Sequence, residues 1–153
     1  MTARSIAIAI AMLAAVLLPT TPAHATYGPP QQVYLQLVSD DGQGLQLARA
    51  EGTVAFDDGN RRYTFNVNVC WQRAYPAPNF DVYINDVWQS VGYSTGPTAP
   101  GCQLTLRVYS ANDVTHGDIV RNIRFQLTGG WFDRQGQYRS RTKSTPYYDN
   151  PFN

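Results

Sequence analysis

The side chains that could do chemistry are few. Outside its first 25 residues the chain carries two cysteines, Cys70 and Cys102, one histidine, His116, and one glutamate, Glu51. In an oxidising compartment two lone cysteines pair by default, and closing this span of 32 positions is worth roughly 3 to 4 kcal/mol in the chain-entropy model. Two cysteines with no histidine beside them make a poor zinc site, and a cysteine nucleophile would leave its partner unexplained.

Catalysis finds little to work with. A Ser-His-Asp arrangement would have to use His116 with Asp113 or Asp118, and no serine stands in a Gly-x-Ser-x-Gly context. Asp40-Asp41 and Asp57-Asp58 are neighbours in sequence, whereas a glycosidase needs its two acids across a cleft. They suit turns, where Asp bonds local backbone. The stretch Asp57-Asp58-Gly59-Asn60 lacks the EF-hand ligand spacing, and there is no phosphate-binding glycine loop. No catalytic residue, no metal and no cofactor are expected.

Recognition is the chemistry that remains. Trp71, Tyr75, Tyr83, Trp88 and Tyr93, with Tyr109, Tyr147 and Tyr148, fall on expected loops or outward strand positions. Rings placed there supply apolar area with a polar tip, which sugar and protein recognition both use. The plainer reading is that Tyr is a good strand residue, and that Tyr83 and Trp88 form an ordinary cross-strand pair. Arg134, Arg139, Arg141 and Lys143 make a basic edge that could meet an anionic polymer. Charges on a terminal strand also protect it against edge-to-edge pairing, and that is the preferred reading.

The elements that must position these residues are strands. Thr53 to Trp71 reads as a hairpin turning at Asp58-Gly59, two residue types that tolerate a type I′ turn. This places Val54 opposite Tyr63, Gly52 opposite Phe65, Ala50 opposite Val67 and Ala48 opposite Val69, small against large on one apolar face. A longer loop over Asp57 to Asn60 would keep the hairpin and change only the pairing. Val33 to Val38 alternates as a first strand, and the apolar phase then switches near Leu47 to Arg49, the mark of a β-bulge or of a strand changing sheets.

Phe80 to Val91 reads as a second hairpin turning at Asn85-Asp86, with Tyr83 opposite Trp88 and with Phe80, Val82, Ile84, Val87 and Val91 facing inward. Gly92 to Gly101 is expected as an irregular loop that delivers Cys102 to a strand over Leu104 to Val108. Ile119 to Thr128 follows, with Ile119, Ile123, Phe125 and Leu127 inward and Asn122, Arg124 and Gln126 outward; Gly129-Gly130 then breaks or kinks it. Gln137 to Lys143 is the last expected strand.

Residues 1–25 carry Arg4, an apolar run from Ile6 to Leu18 and an Ala23-His24-Ala25 cleavage site, the pattern of a secretory signal peptide. Cleavage after Ala25 is expected, and Pro19 to Pro22 ends the run too early for a membrane anchor. Residues 26–153 form one domain, with a mobile lead-in over 26–32 and a tail over 145–153. Removing Arg4 leaves eleven basic against eleven acidic residues, so the formal charge falls from +1 to zero and no nucleic-acid partner is expected.

Seven or eight short strands with turn signals between them, and no helical periodicity, indicate an antiparallel β-sandwich of immunoglobulin-like architecture, with a small barrel as the alternative. The expectation for function is a secreted, disulfide-stabilised, non-catalytic binding module of the extracellular space or cell envelope. Its partner would be a polysaccharide or an extracellular protein. The alternative is an inhibitor of a secreted hydrolase that presents Arg73 to Asn79 or Gly92 to Gly101 beside the disulfide; an enzyme fits least.

Overall fold

The structure, a computed structural model, describes residues 26–40, 42, 44–110 and 115–153. Residues 1–25, where a signal peptide is expected, and Asp41 and Asp113 lie outside the described residues. The described residues form ten strands: β1 (Gln31–Val38), β2 (Gln46–Phe56), β3 (Tyr63–Trp71), β4 (Asn79–Ile84), β5 (Val87–Gln89), β6 (Gly92–Thr95), β7 (Leu104–Tyr109), β8 (Asn122–Phe132), β9 (Tyr138–Ser144) and β10 (Tyr148–Asp149). One antiparallel sheet has the order β1-β2-β3-β7-β6, and the other has β10-β8-β4-β5 with β9 also paired to β8.

The fold is a β-sandwich, not a closed barrel. The order β2-β3-β7-β6 against β9-β8-β4-β5 reproduces the A-B-E-D and G-F-C-C′ order of immunoglobulin sandwiches, with β1 added outside β2. Between the sheets the alternating apolar residues interlock, with Leu37, Leu47, Val54, Val67 and Val69 of one sheet and Ile84, Ile123, Leu127 and Trp131 of the other fully buried. Each such side chain contributes about 1.5 to 3 kcal/mol of burial free energy before entropy is charged. Phe125 lies at the centre, its ring 5.5 Å from Phe65, 5.6 Å from Phe80 and 5.7 Å from Tyr148.

The phase switch in β2 is a bulge. Leu37 pairs with Ala48 while Val38 pairs with Gln46, so Leu47 is the extra residue, and Leu47 and Ala48 both point into the core. Directly across the sandwich is Gly129, where a Cβ would come within 2.8 Å of Leu37 Cδ2. Gly129 therefore fits the bulge, and Gly129-Gly130 does not break the strand as expected: β8 runs through to Phe132, with the Tyr138 ring packed over Gly130.

The β2–β3 hairpin keeps its expected faces but shifts its pairing by two residues. Phe56 faces Tyr63, Val54 faces Phe65, Gly52 faces Val67, Ala50 faces Val69 and Ala48 faces Trp71. The cause is Asp57, a carboxylate only 4% exposed. Its Oδ1 accepts the amides of Arg61 at 3.0 Å and Arg62 at 2.6 Å, and its Oδ2 accepts that of Gly59 at 3.2 Å. These bonds wind residues 57–62 into a longer loop, in which Asn60, and not Asp58 or Gly59, takes the positive φ of 59°. Gly52, Ala50 and Ala48 still oppose larger residues, because a shift of two preserves the pleat.

Asn85 and Asp86 form the expected tight turn, both at positive φ, with Tyr83 opposite Trp88. Two inward assignments fail. Val87 pairs with Ile84 on the inner face but is 61% exposed, since β5 lies at the sheet edge. Ile119 is exposed as well, and Val120 takes the buried position. Residues 92–95, expected as loop, form β6 on β7.

The two ends of the described chain both bond to the β2–β3 turn. Gly28 N donates to Phe56 O at 2.9 Å and Asp58 N to Thr26 O at 3.1 Å, while Gln31 and Gln32 already belong to β1. In the tail, buried Asn150 donates to Asn60 Oδ1 at 3.1 Å and to Val120 O at 2.8 Å, and Asn60 donates to Phe152 O at 3.0 Å. Asp57→Ala is expected to cost on the order of 3 kcal/mol by stranding these amides, measured as a lower urea midpoint; an unchanged midpoint would show that water replaces the carboxylate without loss.

Candidate functional site

The aromatic residues singled out from the sequence do not assemble into one site. Trp71 and Tyr75 are half-buried and pack against the core at the end of β3. Tyr93 pairs with Val108 on the inner face of β6, yet it is 55% exposed because it lies at the sheet edge. Tyr83 and Trp88 stand together on the outer face of the second sheet.

At the β3 end, Cys70 and Cys102 are bonded, with Cα atoms 5.6 Å apart. Cys70 lies on the outward phase of β3 opposite Arg49, so the bond sits at the rim and does not cross between the sheets. Its surroundings are a set of pins. Arg49 reaches Glu51 at 3.2 Å and donates to Pro100 O at 2.9 Å, Gln72 donates to Gly101 O at 2.7 Å, and Arg73 N donates to Gln103 Oε1 at 2.9 Å. The lone glutamate is thus held by a guanidinium. Among the described residues the ring Nδ1 of His116 meets only the backbone of Asp118, at 3.1 Å from its carbonyl oxygen and 3.3 Å from its amide nitrogen.

The basic edge performs a local task. Arg141 donates to Val38 O at 3.1 Å and Lys143 to Gln36 O at 3.2 Å, covering carbonyls along the free edge of β1. Arg139 pairs with Asp133 at 3.0 Å, and exposed Arg134 lies in the turn between β8 and β9. Asp133 also accepts the amide of Gln137, and that bond leads in holding its carboxyl below the ordinary range. Arg141 and Lys143 thus satisfy acceptors at an edge that charged side chains commonly cover.

The outer face of the second sheet carries the most organised exposed cluster. Register places Trp88 of β5 beside Tyr83 of β4, and Tyr83 beside Arg124 of β8. The Arg124 guanidinium lies 4.5 Å from the Tyr83 ring centroid and 5.7 Å from that of Tyr147, just beyond β9. A row of ring, ring, cation and ring follows, in which Arg124 gains cation–π attraction from Tyr83 and Tyr147. Asp86 ties it together: it accepts the Tyr147 hydroxyl at 2.7 Å and lies 3.7 Å from Arg124. Trp88 Nε1 donates to Asp81 Oδ1 at 3.1 Å, so its indole is oriented although 57% exposed.

Arg124, Asp81, Asp86 and Tyr147 are what a reading of separate strands misses as a unit. Arg124 has the correct outward phase in the sequence, but its position beside Tyr83 depends on the β4–β8 pairing between strands forty residues apart. Among the described residues no group of three or more His, Cys, Asp or Glu could hold a metal, and no helix is long and apolar enough to cross a membrane. No family model, no curated protein and no solved structure matches the chain.

Three phenols are held above their ordinary range: Tyr147 chiefly by its hydrogen bond to Asp86, and Tyr63 and Tyr148 by burial. A raised phenol pKa favours the neutral form in the folded state. Its contribution is therefore complete below the unfolded value of about 10 and is lost as pH rises through the folded value. Tyrosinate absorbance titration is expected to show these residues ionising last. Asp86→Asn should bring the Tyr147 step earlier, and an unmoved step would refute the role of that bond.

Proposed function

We propose that the protein is a small secreted, non-catalytic recognition module of the extracellular space or cell envelope, and that it holds polysaccharide on the outer face of the β9-β8-β4-β5 sheet. The observation that carries this reading is Trp88, an exposed indole whose orientation is set by Asp81 beside the Tyr83–Arg124–Tyr147 row. A ring already fixed loses little conformational freedom when it stacks on the C–H face of a sugar. Asp81, Asp86 and Gln126, on or beside that face, offer acceptors for sugar hydroxyls. The Cys70–Cys102 bond supports the secreted setting, since such bonds persist in oxidising compartments.

Retention on insoluble polysaccharides tests the proposal. Trp88→Ala is expected to lower the affinity about tenfold, equivalent to 1.4 kcal/mol, with the β-sheet circular dichroism intact. Equal retention of the variant, or none by the native chain, counts against this face.

A second reading, inhibition of a secreted hydrolase, is favoured by one observation. The segment 96–101 presents exposed Pro97, Thr98 and Pro100 while the disulfide, Arg49 and Gln72 hold its C-terminal end. A loop held in one conformation loses less entropy on docking. Incubation with secreted proteases and amylases would then reduce their turnover, and full activity across such a panel removes the reading.

A further inference from the structure

The opposite sheet carries a different arrangement. On its outer face β3, β7 and β6 set Asn66, Tyr109 and Gly92 in one row and Asn68, Arg107 and Ser94 in the next. A Cβ on Gly92 would lie 2.8 and 2.9 Å from two atoms of the Tyr109 ring, so the ring rests on the β6 backbone. Arg107 donates from Nε to Asn66 Oδ1 at 2.7 Å, which fixes the plane of its guanidinium. Neither of its terminal nitrogens has a protein partner among the described residues, and no carboxylate there lies within ion-pair distance. Between these groups is a depression of about 400 Å³, lined also by Thr64, Ser94 and Ser110.

We propose that this depression binds an acidic sugar, a hexuronate unit of a polysaccharide, with the ring on Tyr109 and the carboxylate on Arg107. The chemistry of the lining selects that class. A guanidinium held by Nε presents a planar pair of donors, which matches a carboxylate in bidentate geometry. The exposed part of the Tyr109 ring supplies an apolar contact, and the Asn66 amide with the Ser94 and Thr64 hydroxyls supplies donors and acceptors for sugar hydroxyls. The volume falls in the lower range of small-molecule sites and suits one or two sugar units. A neutral sugar would leave the Arg107 donors unmatched. This site lies on the other sheet from Trp88 and does not depend on the reading made for that face.

Calorimetric titration of the full secreted chain with trigalacturonate, with a chelator present and galactotriose as the neutral control, tests the assignment. Binding of trigalacturonate alone is expected, weakening as salt is added. Arg107→Gln, an exposed position that should not disturb folding, is expected to lower affinity at least tenfold. Tyr109→Ala should do likewise and Tyr109→Phe should bind as the native chain does. Trp88→Ala is expected to leave this affinity unchanged, which separates the two faces. No binding by the native chain, equal binding of galactotriose, or native affinity in Arg107→Gln would each overturn the proposal. A loss caused by Trp88→Ala and not by Arg107→Gln would place the acid on the other sheet.

Discussion

One buried carboxylate organises the pole at which much of the chain meets. Asp57 gathers three backbone amides of its own loop, and the loop it shapes then serves as a docking point for three distant segments. Thr26 to Gly28 bond to one side of it, Val120 N donates to Asn60 O at 2.7 Å, His116 N donates to Arg61 O at 2.7 Å, and Asn150 with Phe152 closes on the Asn60 side chain. A buried acid without such partners would cost several kcal/mol. With them it converts a hairpin turn into the anchor for both ends of the described chain.

This is also where sequence reading falls short in an instructive way. The faces of β2 and β3 follow from alternation, and Asn85-Asp86 predicts its own turn and its Tyr83–Trp88 pair, because both signals are local. The bulge at Leu47 is visible as a change of phase for the same reason. The pairing of β2 with β3 slips by two because it depends on how one side chain folds back on its loop, and an Asp before Asp-Gly does not announce that. Val87 and Ile119 have inward-looking patterns yet stand exposed, since only the other sheet decides whether an inward face is covered. Gly92 to Thr95 reads as a loop until the Tyr109 ring covers Gly92 and restores a strand.

Surface residues were legible as types and not as partners. The sequence places Tyr83 and Trp88 outward, but Arg124 and Tyr147 join them only through the β4–β8 pairing and the chain beyond β9. Arg141 and Lys143 announce an edge strand, while the carbonyls they cover belong to β1, a hundred residues earlier. Tyr109 is recognisable as an outward aromatic. Its association with Arg107 and Asn66 requires β3 and β7 to be neighbours, which their distance in sequence hides. Long-range pairing is therefore what turns isolated polar and aromatic side chains into surfaces.

Because Thr26 and Phe152 both bond to the Asp57 loop, while the disulfide and the 96–101 segment occupy the far pole, the molecule has a base and a tip. The same closeness would let a short linker join Thr26 to the C-terminal residues, with new ends opened elsewhere in the chain. The tip is the poor choice for that cut, since the bond between Cys70 and Cys102 would then hold a severed strand end where an intact loop now stands.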